Sequence, residues 1–190
     1  MTTWRRNTRK SAVNSRQLRV KSGIFSLAVT IRSATTEDRT FVLELAERLV
    51  AFDVPRHREK AELVEGDRRA LREWFDARLR QGSGAAGSED EVMFIAVLDG
   101  QLVGCAYLVT LVDYFNERPH SHLSVLAVAE GAEGKGIGSA LLDRSVQWAL
   151  ERKSDRLTLS ALVTNARARA LYERKGFAGE YIRYVLPLVQ

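Results

Sequence analysis

Leu123-Ser124-Val125-Leu126-Ala127-Val128, followed by Gly131-Ala132-Glu133-Gly134-Lys135-Gly136-Ile137-Gly138, is the stretch whose reading decides the fold. Its first six residues read as an apolar strand and its glycine cluster as a turn. Ser139 to Glu151 continues as an amphipathic helix, with Leu141, Leu142, Val146, Ala149 and Leu150 recurring at helical spacing. Strand, glycine turn and helix in this order build an anion site. Free N–H groups at the helix start point outward, and the helix dipole favours negative charge there. Glycines let the backbone approach a phosphate with no Cβ in between. Downstream, Arg156 to Val163 predicts a second strand and Asn165 to Lys175 a second helix, completing a β-α-β-α unit. The segment predicts a ligand that carries phosphate or pyrophosphate.

Two familiar phosphate-binding turns compete for this reading. A Walker loop ends in Gly-Lys-Ser/Thr, whereas Gly134-Lys135-Gly136 continues with Ile137. A Rossmann unit needs an acid at the end of its second strand, and Leu162-Val163-Thr164-Asn165 offers none. Both fail.

Working outward toward the N-terminus, His120 and His122 precede the central strand's apolar run and point to one side of it. Leu102 to Val109 and Val92 to Leu98 predict two strands joined by an Asp99-Gly100 hairpin turn. Gln81 to Ser88 reads as a flexible loop. Before it lies a helical region in two pieces, jointed at Gly66-Asp67, whose later piece sets Leu71, Trp74, Phe75 and Leu79 on one face. An earlier helix, begun by Thr35-Thr36-Glu37-Asp38 and broken at Asp53-Val54-Pro55, carries Phe41, Val42, Leu45 and Leu49 on one side. Ala28 to Arg32 predicts the first strand, and Tyr181 to Leu188 the last.

Composition bounds the rest. A chain of 190 residues suits one domain with a full core. Eight basic residues and no acid lie in residues 1–36, so the formal charge of +5 for the whole chain leaves −3 for the remainder. The basicity belongs to a tail, and nucleic-acid binding by the body is not expected. Residues 1–26 are read as a basic, disordered extension and 27–190 as a single domain. Cys105 is the sole cysteine, which excludes an intrachain disulfide. Three histidines scattered over loop, strand and helix lack ligand spacing, so no metal is expected. No apolar run approaches a membrane span, and with no apolar segment after the basic start, a cytoplasmic protein is expected.

The run L-A-V-x(5)-G-K-G-I-G-S-A-L-L-D, with N-A-R-A-R-A-L-Y-E-R-K-G-F downstream, resembles the GNAT superfamily of N-acetyltransferases. The resemblance implies an α+β fold: a mixed, largely antiparallel central sheet of six or seven strands with helices on both faces. It implies acetyl transfer from acetyl-CoA to a primary amine in a ternary complex, with homodimers common. The amides from Gly134 through Lys135, Gly136, Ile137 and Gly138 to Ser139 would then hold the pyrophosphate. The strand edge at Leu126, Ala127 and Val128 would pair with the pantetheine arm. Asn165 would contact that arm besides capping its helix. Tyr172 would protonate the departing thiolate, and His122, with His120 in reserve, would take the amine's proton. Phe52, Asp53, Arg56 and His57 fall where the acceptor usually borders. The sequence departs from the family pattern at Glu133, where Arg or Gln is usual, and at Glu130, where proline is common. An acid beside a pyrophosphate is repulsive unless paired, with Lys135 or Arg167 as the partners in view. The alternative is a non-catalytic acyl-CoA sensor, with Glu133 as its support.

Overall fold

In a computed structural model, the described residues are 18–19, 28–52, 54–81 and 90–188. The sheet runs in sequence order. Its strands are β1 (Leu18–Arg19), β2 (Ala28–Ser33), β3 (Glu91–Leu98), β4 (Gln101–Val112), β5 (Pro119–Val128) and β6 (Leu157–Leu159). Neighbours are antiparallel except β5 and β6, which pair in parallel. Helices α1 (Arg39–Glu44), α2 (Lys60–Gln81), α3 (Ile137–Glu151) and α4 (Ala166–Arg174) flank it. Two 3-10 turns, Thr36–Asp38 and Leu45–Val50, sit on either side of α1.

Strand alternation assigns each face its helices. Phe94, Ala106 and Leu123 turn toward Ile137, Leu141 and Leu142 of α3. Met93, Ile95 and Cys105 turn toward Val42, Leu45, Trp74 and Phe75 on the opposite face. Helices therefore cover both faces, as the resemblance implies. The β3–β4 hairpin turns through Asp99 and Gly100 with φ of 50° and 80°, the left-handed pair that a two-residue turn requires. Gly104 makes the close approach on which the sheet's centre depends: a Cβ there would lie 2.7 Å from the Ala127 carbonyl oxygen.

Several boundaries differ from the sequence reading. Five strands of three residues or more carry the sheet, rather than six or seven. Leu18–Arg19 adds only a two-residue pairing with β2, which also places two residues of the expected disordered tail in the fold. The rest of residues 1–26 lies outside the described residues, as do 82–88 of the expected loop. The segment 181–188 forms no ladder, and Tyr181, Ile182, Tyr184, Leu186 and Leu188 are exposed. The second strand of the cofactor unit shrinks to Leu157–Leu159. Helix α2 runs unbroken through Gly66: one internal glycine costs only about 1 kcal/mol, and Leu71, Trp74 and Phe75 are buried beyond it. Leu79, placed on that face by spacing, is exposed, as are Val146 and Leu150 of α3.

Asp38 anchors the entry to the first helical segment. Its carboxylate accepts two bonds from Arg32, both 2.7 Å, and one from the Thr35 amide. Burial alone would raise its pKa, but these bonds outweigh burial and hold it below the usual range.

Candidate active site

The glycine turn sits at the C-terminal end of β5. Gly131, Gly134 and Gly136 have φ of 74°, 76° and 80°, left-handed values that side-chain-bearing residues rarely adopt. Gly136 is the N-cap of α3, and no side chain caps that terminus. The first helical amides are thus available to an external acceptor. Ile137 buries its side chain in the core and Ala127 packs against the opposite cluster, so these two positions offer only backbone to a ligand.

A second requirement is an open strand edge. The β5–β6 ladder covers only Ser121 to Leu123. Beyond Leu123 the β5 edge pairs with no other strand among the described residues on that side, and Leu126 and Val128 are half-buried along it. Pairing with β4 also shifts register between Tyr107 and Leu108, leaving Ser124 as an extra, exposed residue in β5. Helix α4 closes over the same corner. A Cβ at Gly138 would touch Leu171 at 3.5 Å and Val128 at 3.7 Å, so the start of α3, the end of β5 and α4 converge. Asn165 caps α4, its side-chain oxygen accepting from the Ala168 amide at 3.1 Å. Tyr172 packs near Phe177, ring centroids 6.0 Å apart, and burial raises its pKa, so the phenol stays protonated.

Glu133 pairs with neither Lys135 nor Arg167. Its carboxylate accepts from Arg48 of the 3-10 turn before α2, 85 residues away, and Arg48 also lies 3.8 Å from Glu130. Glu133's own backbone N–H, then the Arg48 charge and the Gly131 amide, hold its pKa down against the opposing effect of desolvation. Sequence reasoning missed Arg48, because no local pattern announces a partner that distant. Arg48 borders a cavity of about 770 Å³ that also meets Glu47, Lys60, Val64, Arg68 and Glu130. Phe52, Arg56 and His57 do not line it, and Asp53 lies outside the described residues.

The histidines lie at the other end of β5. His122 precedes Val128 by six residues, about 20 Å along an extended strand. His122 Nδ1 is 2.8 Å from Thr158 Oγ1, and His120 Nε2 is 3.1 Å from the same oxygen. His120 is buried and its Nδ1 has no partner. Desolvation, then the neighbouring His120, lowers the His122 pKa. Thr158 is the second residue that the sequence reading missed. Cys105 is fully buried, which pushes its thiol up to about 12 and leaves it protonated and inert. Among the described residues no helix is long and apolar enough to cross a membrane, and no cluster of three potential metal ligands occurs.

A left-handed glycine turn, an uncapped helix start and a strand edge open beyond Leu123 mark an α+β protein with an anion-binding corner. Residues 56–177 match the acetyltransferase (GNAT) family, and the chain belongs to it. A streptothricin acetyltransferase from Streptomyces lavendulae is 37% identical over 97 residues, which are 50% of this chain and 49% of that protein. A mycothiol acetyltransferase from Beutenbergia cavernae is 51% identical over 53 residues, 28% of this chain and 18% of that one. The chain thus spans about half or less of the length of these curated relatives. Among solved structures, a ribosomal-protein-alanine N-acetyltransferase from Brucella melitensis biovar Abortus 2308 aligns with a TM-score of 0.60. It is 23% identical and the alignment covers 85% of this chain and 100% of that one. At that identity the likeness bears on the fold alone.

Proposed function

We propose that the chain moves an acetyl group from acetyl-CoA to a primary amine, directly between the two bound substrates. One observation carries this reading: the uncapped start of α3 behind left-handed glycines, beside the unpaired β5 edge. Amides from Gly134 to Ser139 fit a diphosphate, and the edge at Leu126 to Val128 fits an amide-bearing arm laid down as an added strand. Asn165 keeps its cap while its side-chain NH2 is available to that arm.

In the transfer, His122 takes the amine's proton at Nε2 and the amine nitrogen bonds to the thioester carbonyl carbon. The carbon–sulfur bond then breaks, and Tyr172 gives its phenolic proton to the thiolate. The raised Tyr172 pKa and lowered His122 pKa suit these roles: the acid enters protonated and the base enters neutral. The inert Cys105 thiol supports transfer without a covalent enzyme intermediate. Arg48 neutralises Glu133, which removes the support for a sensor that binds without turnover.

The test is calorimetric binding of acetyl-CoA together with CoA release across a panel of antibiotic, polyamine, amino-acid and peptide amines. Binding plus release with one amine class supports the reading. Tight binding with no release on the whole panel overturns catalysis in favour of a sensor, and absence of binding overturns both.

A further inference from the structure

A hydroxyl has one proton and two lone pairs. Thr158 Oγ1 has three polar neighbours: His122 Nδ1 at 2.8 Å, His120 Nε2 at 3.1 Å and the Ser121 carbonyl oxygen at 3.5 Å. All three are satisfied together in one way only. The carbonyl can only accept, so the hydroxyl proton goes to it, and each imidazole donates to a lone pair of the hydroxyl. If the hydroxyl donates to either ring instead, the Ser121 contact is left idle.

The assignment also accounts for the unpartnered atom in the cluster. With its proton on Nε2, His120 keeps a bare lone pair on the buried Nδ1. An under-satisfied acceptor is tolerated more readily than an orphaned N–H, which the opposite tautomer would bury. Neither neighbouring strand supplies a carboxylate to do the orienting. In register, His122 faces Val109 on β4 and Thr158 on β6, and His120 faces Leu111. On the other side of β5, Ser121 Oγ lies 2.7 Å from Ser154 Oγ, so both faces of the strand are pinned at this point.

We propose that Thr158 is a positioning residue: its hydroxyl holds His122 as the Nδ1–H tautomer and leaves Nε2 as the free lone pair of a half-buried ring. The inference rests on His122 being the base of the proposed transfer. A base with a third group fixing its tautomer is the arrangement that proton abstraction from a nucleophile requires. Here a neutral hydroxyl provides it, so orientation comes without the pKa increase that a carboxylate would bring.

The experiment is nitrogen NMR of the histidine side chains in the full chain, labelled with ¹⁵N, above the range where imidazole titrates, alongside steady-state kinetics. The wild type is expected to carry the His122 proton on Nδ1. Thr158→Val, close in shape but without the hydroxyl, is expected to move it to Nε2. The same variant should lower kcat about 10-fold or more, part of the ~10²–10⁴ that a general base supplies, and leave KM for acetyl-CoA within about twofold. Thr158→Ser should restore both the tautomer and the rate. A wild-type His122 protonated on Nε2, or a Thr158→Val protein with an unchanged tautomer, overturns the proposal whatever the turnover. Full turnover in His122→Ala, with the Thr158 tautomer shift intact, overturns the base assignment and leaves the tautomer assignment standing.

Discussion

The two ends of β5 are built from different materials. At its C-terminal end the candidate site is backbone: left-handed glycines, uncapped amides and an unpaired strand edge. At its N-terminal end it is side chain: two imidazoles gathered on one threonine hydroxyl. A backbone site tolerates the identity of its neighbours but not their conformation. A side-chain site tolerates small changes in conformation but not the loss of a single atom. The difference teaches where each end should fail.

The sharpest break is expected at the side-chain chemistry. Tyr172→Phe keeps the ring in its packing and removes the proposed acid, so turnover should fall ~10²–10⁴ while acetyl-CoA affinity stays within about twofold. A pre-steady-state rate with full amplitude in this variant would take Tyr172 out of the reaction. Next comes the backbone end. Gly136→Asp forces a side chain into φ of 80° and sets a carboxylate at the anion site. Left-handed strain of ~1–2 kcal/mol plus like-charge repulsion should weaken acetyl-CoA binding about 100-fold, read by calorimetry against an unchanged circular-dichroism spectrum. Equal affinity would mean that the turn holds no phosphate.

Acidity distinguishes the ends more gently. Desolvation and then His120 lower the His122 pKa, so its neutral form persists below the ordinary imidazole value of about 6.5. Activity should therefore hold as pH falls to that value and decline only beneath it. His122→Ala should lose most near neutrality and least at high pH, where the amine sheds its proton unaided. A wild-type limb above 6.5 would contradict the shift. The smallest effect belongs to the ion pair that joins the turn to the 3-10 segment Leu45–Val50. Arg48→Ala leaves Glu133 uncompensated, and acetyl-CoA affinity should fall about threefold to tenfold, given the modest worth of partly exposed pairs. The double variant Arg48→Ala, Glu133→Gln should recover most of that loss.

The same contrast explains what was legible in the amino-acid sequence. The backbone end announces itself locally, because glycine at positions 131, 134 and 136 reports left-handed conformation without reference to anything distant. The hairpin at Asp99-Gly100 and the Asn165 cap were readable for the same reason. Arg48 and Thr158 were not, since their partners lie 85 and 36 residues away and only register brings them together. Segment 181–188 misled in the opposite sense. Its apolar run looks like a strand, yet a strand exists only when a neighbour accepts its ladder, and among the described residues none pairs with it. Gly66 misled because a local helix penalty was weighed without the burial that overrides it.

That three-residue edge strand has a consequence for how the protein opens. Among the described residues, the only backbone ladder that joins the chain after Glu151 to the sheet runs from Ser121 to Leu123. The rest of the attachment is side chain, from the Ser154 and Thr158 contacts, the Arg156–Asp113 and Lys175–Asp143 pairs, both 2.6 Å, and partly buried Leu157, Leu159, Leu171 and Tyr172. Amides of β6 and α4 should therefore exchange with deuterium together and well before those of β3 and β4, as one cooperative unit of low local stability. A ligand that bridges the start of α3 and α4 would stabilise the closed form by mass action and slow that exchange in proportion to its concentration over Kd. The corner where α3, β5 and α4 converge would then double as the molecule's latch, and protection of residues 157–174 would count ligand occupancy without any chemistry taking place.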